Sequence, residues 1–239
     1  MLIFVLKFIL KKFLFFILLI LSTNCSNHND NIMILDLQVE GFKKGKIYLQ
    51  KINDSVLVNV DSIYVEDDSY LQFKQKINSP EIFYIALNIS KNDNRIEFFA
   101  ENSDITIKSN LKKFNSDYTV TGSFNDSVYR DYQNIIKKFN YEKLDLIEKS
   151  INLTKMQKFD SVNLIENEIQ NINKRKLLYS LNFAVNNGNS SVAPYIAINN
   201  FKNNDQLILD TIFMSLDKNV KESKYGKMLS KLINSKSKS

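Results

Sequence analysis

Apolar residues in the first half of the mature chain alternate with polar ones at strand spacing. Ile32-Met33-Ile34-Leu35-Asp36-Leu37-Gln38-Val39 opens the series and Gly41 breaks it. Lys46 to Ile52 follows, then the turn signal Asn53-Asp54. Val56, Val58, Val60, Ile63 and Val65 lead into the polar turn Glu66-Asp67-Asp68-Ser69. Leu71, Phe73 and Ile77 mark the next strand, ended by Asn78-Ser79-Pro80. Ile82 to Ile89, Arg95 to Phe99, Ile105 to Ile107 and Tyr118 to Thr121 complete the set. Short strands separated by polar turns predict an antiparallel β-sandwich or small barrel.

From Asn125 the period becomes helical. Val128, Tyr132, Ile135, Ile136 and Phe139 recur at i, i+3 and i+4, and Leu144, Ile147, Ile151 and Leu153 continue the pattern. A second long helix runs through Phe159, Val162, Ile165, Ile169, Ile172, Leu177 and Leu181 and stops at Asn187-Gly188-Asn189. Shorter helices are expected over 191–201, with Pro194 in the first turn, and over 207–216 and 225–233. The fold class is therefore α+β: an all-β domain over 32–123 and an α-helical region over 124–239.

The first residues read as an address. Residues 2–21 are apolar apart from Lys7, Lys11 and Lys12, and the densest run, Phe13 to Leu21, follows two of those lysines. This is the layout of a secretory signal. A membrane-spanning reading of 2–21 would place Lys11 and Lys12 near mid-bilayer, at a cost of a few kcal/mol each. Leu21-Ser22-Thr23-Asn24-Cys25 resembles a lipobox, with Asn24 where a smaller residue is usual. The expected order is a lipoprotein signal peptide over 1–24, a lipidated Cys25 with a polar tether to residue 31, and then the folded body. Acyl chains on Cys25 would hold that body at a membrane, at about 0.8 kcal/mol per buried methylene. The alternative is an uncleaved signal anchor with Cys25 as an incidental thiol.

Composition removes several function classes. The chain has 239 residues, one cysteine and one histidine, His28, which lies in the tether. The single cysteine excludes an internal disulfide framework and a CxxC redox pair, and a lone histidine in a tether argues against a Ser-His-Asp triad. Three of the six excess positive charges, Lys7, Lys11 and Lys12, fall in the signal segment. The remaining excess is weak and spread among acids, so nucleic acid is not an expected partner. Glycine (5) and proline (2) are scarce, so the turns must be built from Asn, Asp, Ser and Lys.

The order of several motifs resembles the domain of unknown function 4369 of Bacteroidota lipoproteins. Gly41 to Leu49 looks like that family's opening hairpin, and Val60-Asp61-Ser62 resembles its Val-Asp-Ser signature. Tyr70-Leu71-Gln72-Phe73, Pro80, Phe98-Phe99-Ala100-Glu101 and Val120-Thr121-Gly122-Ser123 with Asn125 follow in the family's order. Ser69 and Gln75 stand where the family carries glycine. Asn189 to Tyr195 and Ser223 to Lys227 look like its helical linker. The resemblance implies an envelope location, on the inner or outer membrane. In relatives a thioredoxin-like domain follows, so a periplasmic thioredoxin-like protein is an implied partner.

Candidate chemistry is sparse. Asp67-Asp68 and the pair Asp93 and Glu97 could serve as metal ligands or acid–base partners, but Asp67-Asp68 reads more simply as a turn. Asp61-Ser62 lacks a base and reads as a strand-end turn. Phe83, Tyr84, Phe98 and Phe99 read as sandwich core rather than a ligand groove. Ile165, Ile169, Ile172 and Leu181 read as packing between the chain's own helices rather than a coiled-coil face. No catalytic residue, metal or cofactor is expected. Three functions remain: a non-enzymatic, membrane-tethered binding or scaffold lipoprotein; an accessory subunit of a separately encoded thiol-disulfide reductase; and a carboxylate enzyme acting on polysaccharide or peptide.

Overall fold

The alternating segments form eight strands in a computed structural model that describes residues 31–66, 71–88 and 94–237. They are β1 (Ile32–Glu40), β2 (Lys44–Asn53), β3 (Val56–Glu66), β4 (Leu71–Lys76), β5 (Glu81–Leu87), β6 (Arg95–Ala100), β7 (Asp104–Asn110) and β8 (Tyr118–Thr121). They divide into two open four-stranded sheets, ordered β4-β1-β7-β8 and β3-β2-β5-β6. This is the sandwich of the two expected alternatives. It is not wholly antiparallel: β1 and β7 pair in parallel, Leu35 opposite Ile105 and Leu37 opposite Ile107. Such a pair needs a long crossover, and here the second sheet supplies it.

Period-two burial builds the first core. Met33, Leu35 and Leu37 of β1 face Ile47 and Leu49 of β2, Phe83 and Ile85 of β5, and Phe98 of β6 across the gap between the sheets. The β2–β3 hairpin turns on Asp54 and Ser55, both left-handed at φ 45° and 69°. Asp tolerates that region better than most residues, and the geometry suits a two-residue hairpin turn.

Six helices follow: α1 (Phe124–Lys155), α2 (Phe159–Asn186), α3 (Val192–Phe201), α4 (Gln206–Ser215), α5 (Lys218–Lys221) and α6 (Lys224–Lys236). Side-chain oxygens cap three of them. Ser123 accepts from the amide of Asp126, Asp205 from Leu207, and Ser223 from Gly226. The helices cover part of the outer face of the second sheet, where Ile82 and Phe99 join Val128, Tyr129, Ala184, Ile196 and Leu229 in a second core. From Asn31 onward the chain packs as one compact unit. Among the described residues no helix is long and apolar enough to cross a membrane.

The step from β8 into α1 depends on Gly122. Its φ is +90°, and a Cβ there would sit 1.9 Å from the carbonyl oxygen of Asp104. Gly41 has a similar φ, +81°, but a Cβ there would meet only Leu111 Cβ, at an ordinary 3.9 Å. Gly122→Ala therefore meets backbone strain and a clash, and Gly41→Ala strain alone. Urea unfolding should show the Gly41 variant weakened by about 1–2 kcal/mol and the Gly122 variant weakened well beyond that. Equal losses would show that the close approach at Gly122 carries no energetic weight.

Candidate functional site

Strand β6 lies at an edge of its sheet, so one side of its backbone has no strand partner. Helix α1 supplies that partner with side chains. Asp126, three residues after the Ser123 cap, accepts the amide of Phe99 at 2.9 Å. The same carboxylate grips Arg130 one turn later through two contacts of 3.0 Å each. Arg130 in turn donates to the carbonyl oxygen of Glu97 and to the Tyr118 hydroxyl, the latter at 2.6 Å. Tyr118, on β8 of the other sheet, also donates to the Glu97 carbonyl, at 3.3 Å. Asp126 is buried, its side chain 1% exposed. Burial alone would depress Arg130, but the Asp126 carboxylate holds it above its usual value.

Tyrosines surround the Glu97 carboxylate beside this pair. Tyr129 and Tyr195 donate to it at 3.0 and 3.4 Å. Phe99 sits edge-on to Tyr129, Tyr195 and Tyr225, with ring centroids 5.6 to 6.0 Å apart. Tyr225 accepts the amide of Ile82 at 3.1 Å. Burial, reinforced by the charge of Glu97, pushes the hydroxyls of Tyr129, Tyr195 and Tyr225 far above their usual range. Burial pushes Tyr84 up to about 12, with Glu97 adding and Arg95 opposing.

Two further polar knots tie helix to sheet. Glu101 accepts from the side chain and the amide of Asn125, and the Asn125 oxygen accepts from the Ser190 hydroxyl and the Ser191 amide, both at 2.8 Å. Glu81, nearly buried, pairs with Lys51 at 3.1 Å and with Lys224 of α6. Each carboxylate in these networks is committed to donors from the protein itself. A cleft of about 660 Å³ opens at the end of β1, lined by the polar Asp36, Gln38, Glu40, Lys43 and Lys108 and by the apolar Leu37, Val39 and Phe42. No group of three or more His, Cys, Asp or Glu side chains that could hold a metal occurs among the described residues.

Cys25 and His28, Asp67-Asp68 and Asp93 lie outside the described residues. Glu97 is the one member of those acidic pairs that is described, and it is an acceptor for tyrosines. Asp61 takes the amide of Ser62 at 2.7 Å and the Gln75 amide at 3.2 Å. The aromatic run splits between two cores: Phe83 and Phe98 point between the sheets, whereas Phe99 joins the helix-covered core and Tyr84 packs against it. Ile165 and Ile172 are buried, and Ile169 and Leu181 half-buried, where α2 packs on its neighbouring helices. The Asp126–Arg130 pair escaped the sequence reading. Its only trace was an i, i+4 acid–base spacing in the first turns of a helix.

These features define an α+β protein: a two-sheet sandwich with one edge closed by the first helix of a bundle. Residues 33–129 match the family model described as Domain of unknown function (DUF4369), and the chain carries a domain of that family. The match includes the start of α1, with Asp126, and ends one residue before Arg130. No curated protein and no solved structure matches the chain.

The motif residues are occupied in holding the fold. Gly122, Ser123 and Asn125 make the sheet-to-helix step. Glu101 receives Asn125. Val60 is the extra residue of a bulge, since Leu49 pairs with Asp61 and Gln50 with Asn59. That bulge, with Asp61 capping the Ser62 amide, protects the β3 edge from pairing with another strand.

The tyrosine cluster fixes a pH dependence. Unfolded tyrosines ionise near pH 10, while the folded protein holds Tyr84 neutral to about 12 and the others higher. Their contribution is complete below pH 10 and is lost as pH rises through the folded values. The urea midpoint should stay level from neutrality to about pH 9 and fall steeply above about pH 10. Tyr195→Phe should soften the fall. A midpoint that does not change to about pH 11 would contradict the burial of these hydroxyls.

Proposed function

We propose that the chain is an envelope lipoprotein of non-enzymatic binding or scaffold type, held at the inner or outer membrane by acyl chains on Cys25 and facing the periplasm or the surface. The observation that carries this reading is the position of Cys25. It is the only cysteine, it stands where the apolar stretch ends, and β1 begins seven residues later at Ile32. The intervening residues, Ser26 to Asn31, are polar and suited to a tether. The carboxylates of the body support the non-enzymatic part: Glu81, Glu97, Glu101 and Asp126 are each bonded to groups that hold sheet to helix.

A narrower variant, an accessory subunit of a separately encoded thiol-disulfide reductase, follows from the resemblance to lipoproteins in which a thioredoxin-like domain comes after this one. That variant shares the anchor and adds a partner carrying CxxC.

Intact-mass measurement on the membrane fraction tests the anchor. The expected species starts at Cys25 and carries a diacylglyceryl group with or without a further acyl chain. Cys25→Ser should accumulate as a precursor that retains its N-terminal segment. A bare Cys25 on a chain that still begins at Met1 would overturn the reading.

A further inference from the structure

Each sheet of the sandwich has two edge strands, and three of these four edges are closed to a further strand. Asp126 and Arg130 close β6. β8 is four residues long and is tied to α1 through Tyr118. β4 carries Lys74 and Lys76, both exposed, and lysines on an edge deter pairing. β3, the longest strand at eleven residues, is guarded only in its second half, by the bulge at Val60 and by Asp61 and Glu66.

The first half of β3 is open. Ser55 to Val60 carries no charge, and β3 ends its sheet, so one side of this backbone has no strand partner among the described residues. The two-residue turn at Asp54-Ser55 makes Asn53 and Val56 the closing pair of the hairpin. The backbone groups of Val56 and Val58 therefore face β2, and those of Leu57 and Asn59 face the free edge. Val56 is 62% exposed, Leu57 36%, and Ile52, opposite Leu57 on β2, 46%. Unpaired amides and carbonyls along an extended apolar segment specify their occupant, which is another extended strand. The segment fits its own copy. With the two strands antiparallel about Val58, Leu57 stands opposite the partner's Asn59, and Val58 stands opposite the partner's Val58. Leu57 and Asn59 then exchange their outward amide–carbonyl bonds across the pair. Two β-branched side chains meet, and no like charges face each other.

We propose that β3 pairs with β3 of a second copy of the chain, antiparallel about Val58. The pairing joins two β3-β2-β5-β6 sheets into one eight-stranded sheet with twofold symmetry. The contact is separate from lipidation of Cys25 and does not rest on it.

Register-specific cross-linking tests the pairing in the full chain carrying Cys25→Ser. The chain is reconstituted in phosphatidylcholine vesicles, which raise the effective concentration of a weakly paired strand. One further cysteine is introduced at a time, at Val58, Leu57 or Tyr64, and a mild oxidant is added. Val58 faces its copy as a non-hydrogen-bonded pair, with Cα atoms about 4.5 Å apart, within the reach of a disulfide. Leu57 and its copy lie two residues out of register, about 8–9 Å apart, beyond that reach. Val58→Cys should give a covalent dimer, and Leu57→Cys and Tyr64→Cys should not. Adding Leu57→Pro to Val58→Cys removes an outward donor and leaves the ladder to β2 intact. It should lower the yield of dimer by about tenfold or more. Leu57→Lys, which keeps the donor and charges the edge, should act in the same direction. Far-ultraviolet circular dichroism checks that the variants stay folded. No dimer at Val58, equal yields at Val58, Leu57 and Tyr64, or a yield that neither Leu57 variant lowers would overturn the proposal.

Discussion

A carboxylate closes the edge of a sheet. Strand β6 would otherwise present unpaired backbone groups, and Asp126 and Arg130 satisfy two of them, the Phe99 amide and the Glu97 carbonyl. The pair is bidentate and its acid is buried, so each partner needs the other. Removing one member of such a pair typically costs about 3–5 kcal/mol, because the other is left charged and unpaired. Through Tyr118 the pair also reaches the second sheet. Three layers of structure, two sheets and a helix bundle, therefore meet at two side chains one helical turn apart.

This arrangement assigns the polar residues of the junction to architecture. A buried acid–base pair among tyrosines could be read as a reaction centre, since perturbed groups cluster at such centres. Here the carboxylates already hold their donors and the hydroxyls are kept neutral by burial. The family segment repeats the theme: Glu101 with Asn125, and Asp61 with Ser62, hold turns and edges. Exposed apolar side chains, Tyr141, Leu144 and Ile151 among them, lie on the far half of the α1–α2 hairpin.

Much of the fold was legible in the chain. The alternation of Met33, Leu35 and Leu37 and the turn at Asn53-Asp54 marked strands and hairpin, and the change of period at Asn125 marked the first helix. What was not legible is long-range. Nothing local states that β1 will lie parallel to β7, about 70 residues away. Phe98 and Phe99 are neighbours of the same type, yet strand geometry sends them to opposite cores. Leu144, Ile147 and Ile151 keep the same helical period as the packed positions, but among the described residues nothing buries them. Asp126 and Arg130 looked like an ordinary surface pair, because burial is set by the sheet they meet and not by their spacing.

The most direct measurement of the central claim is amide hydrogen exchange at Phe99. If Asp126 closes the β6 edge, the Phe99 amide should exchange as slowly as the amides in the middle of β5, with an opening free energy close to that of global unfolding. Exchange of Phe99 at the rate of a solvent-exposed edge amide, while β5 remains protected, would contradict it.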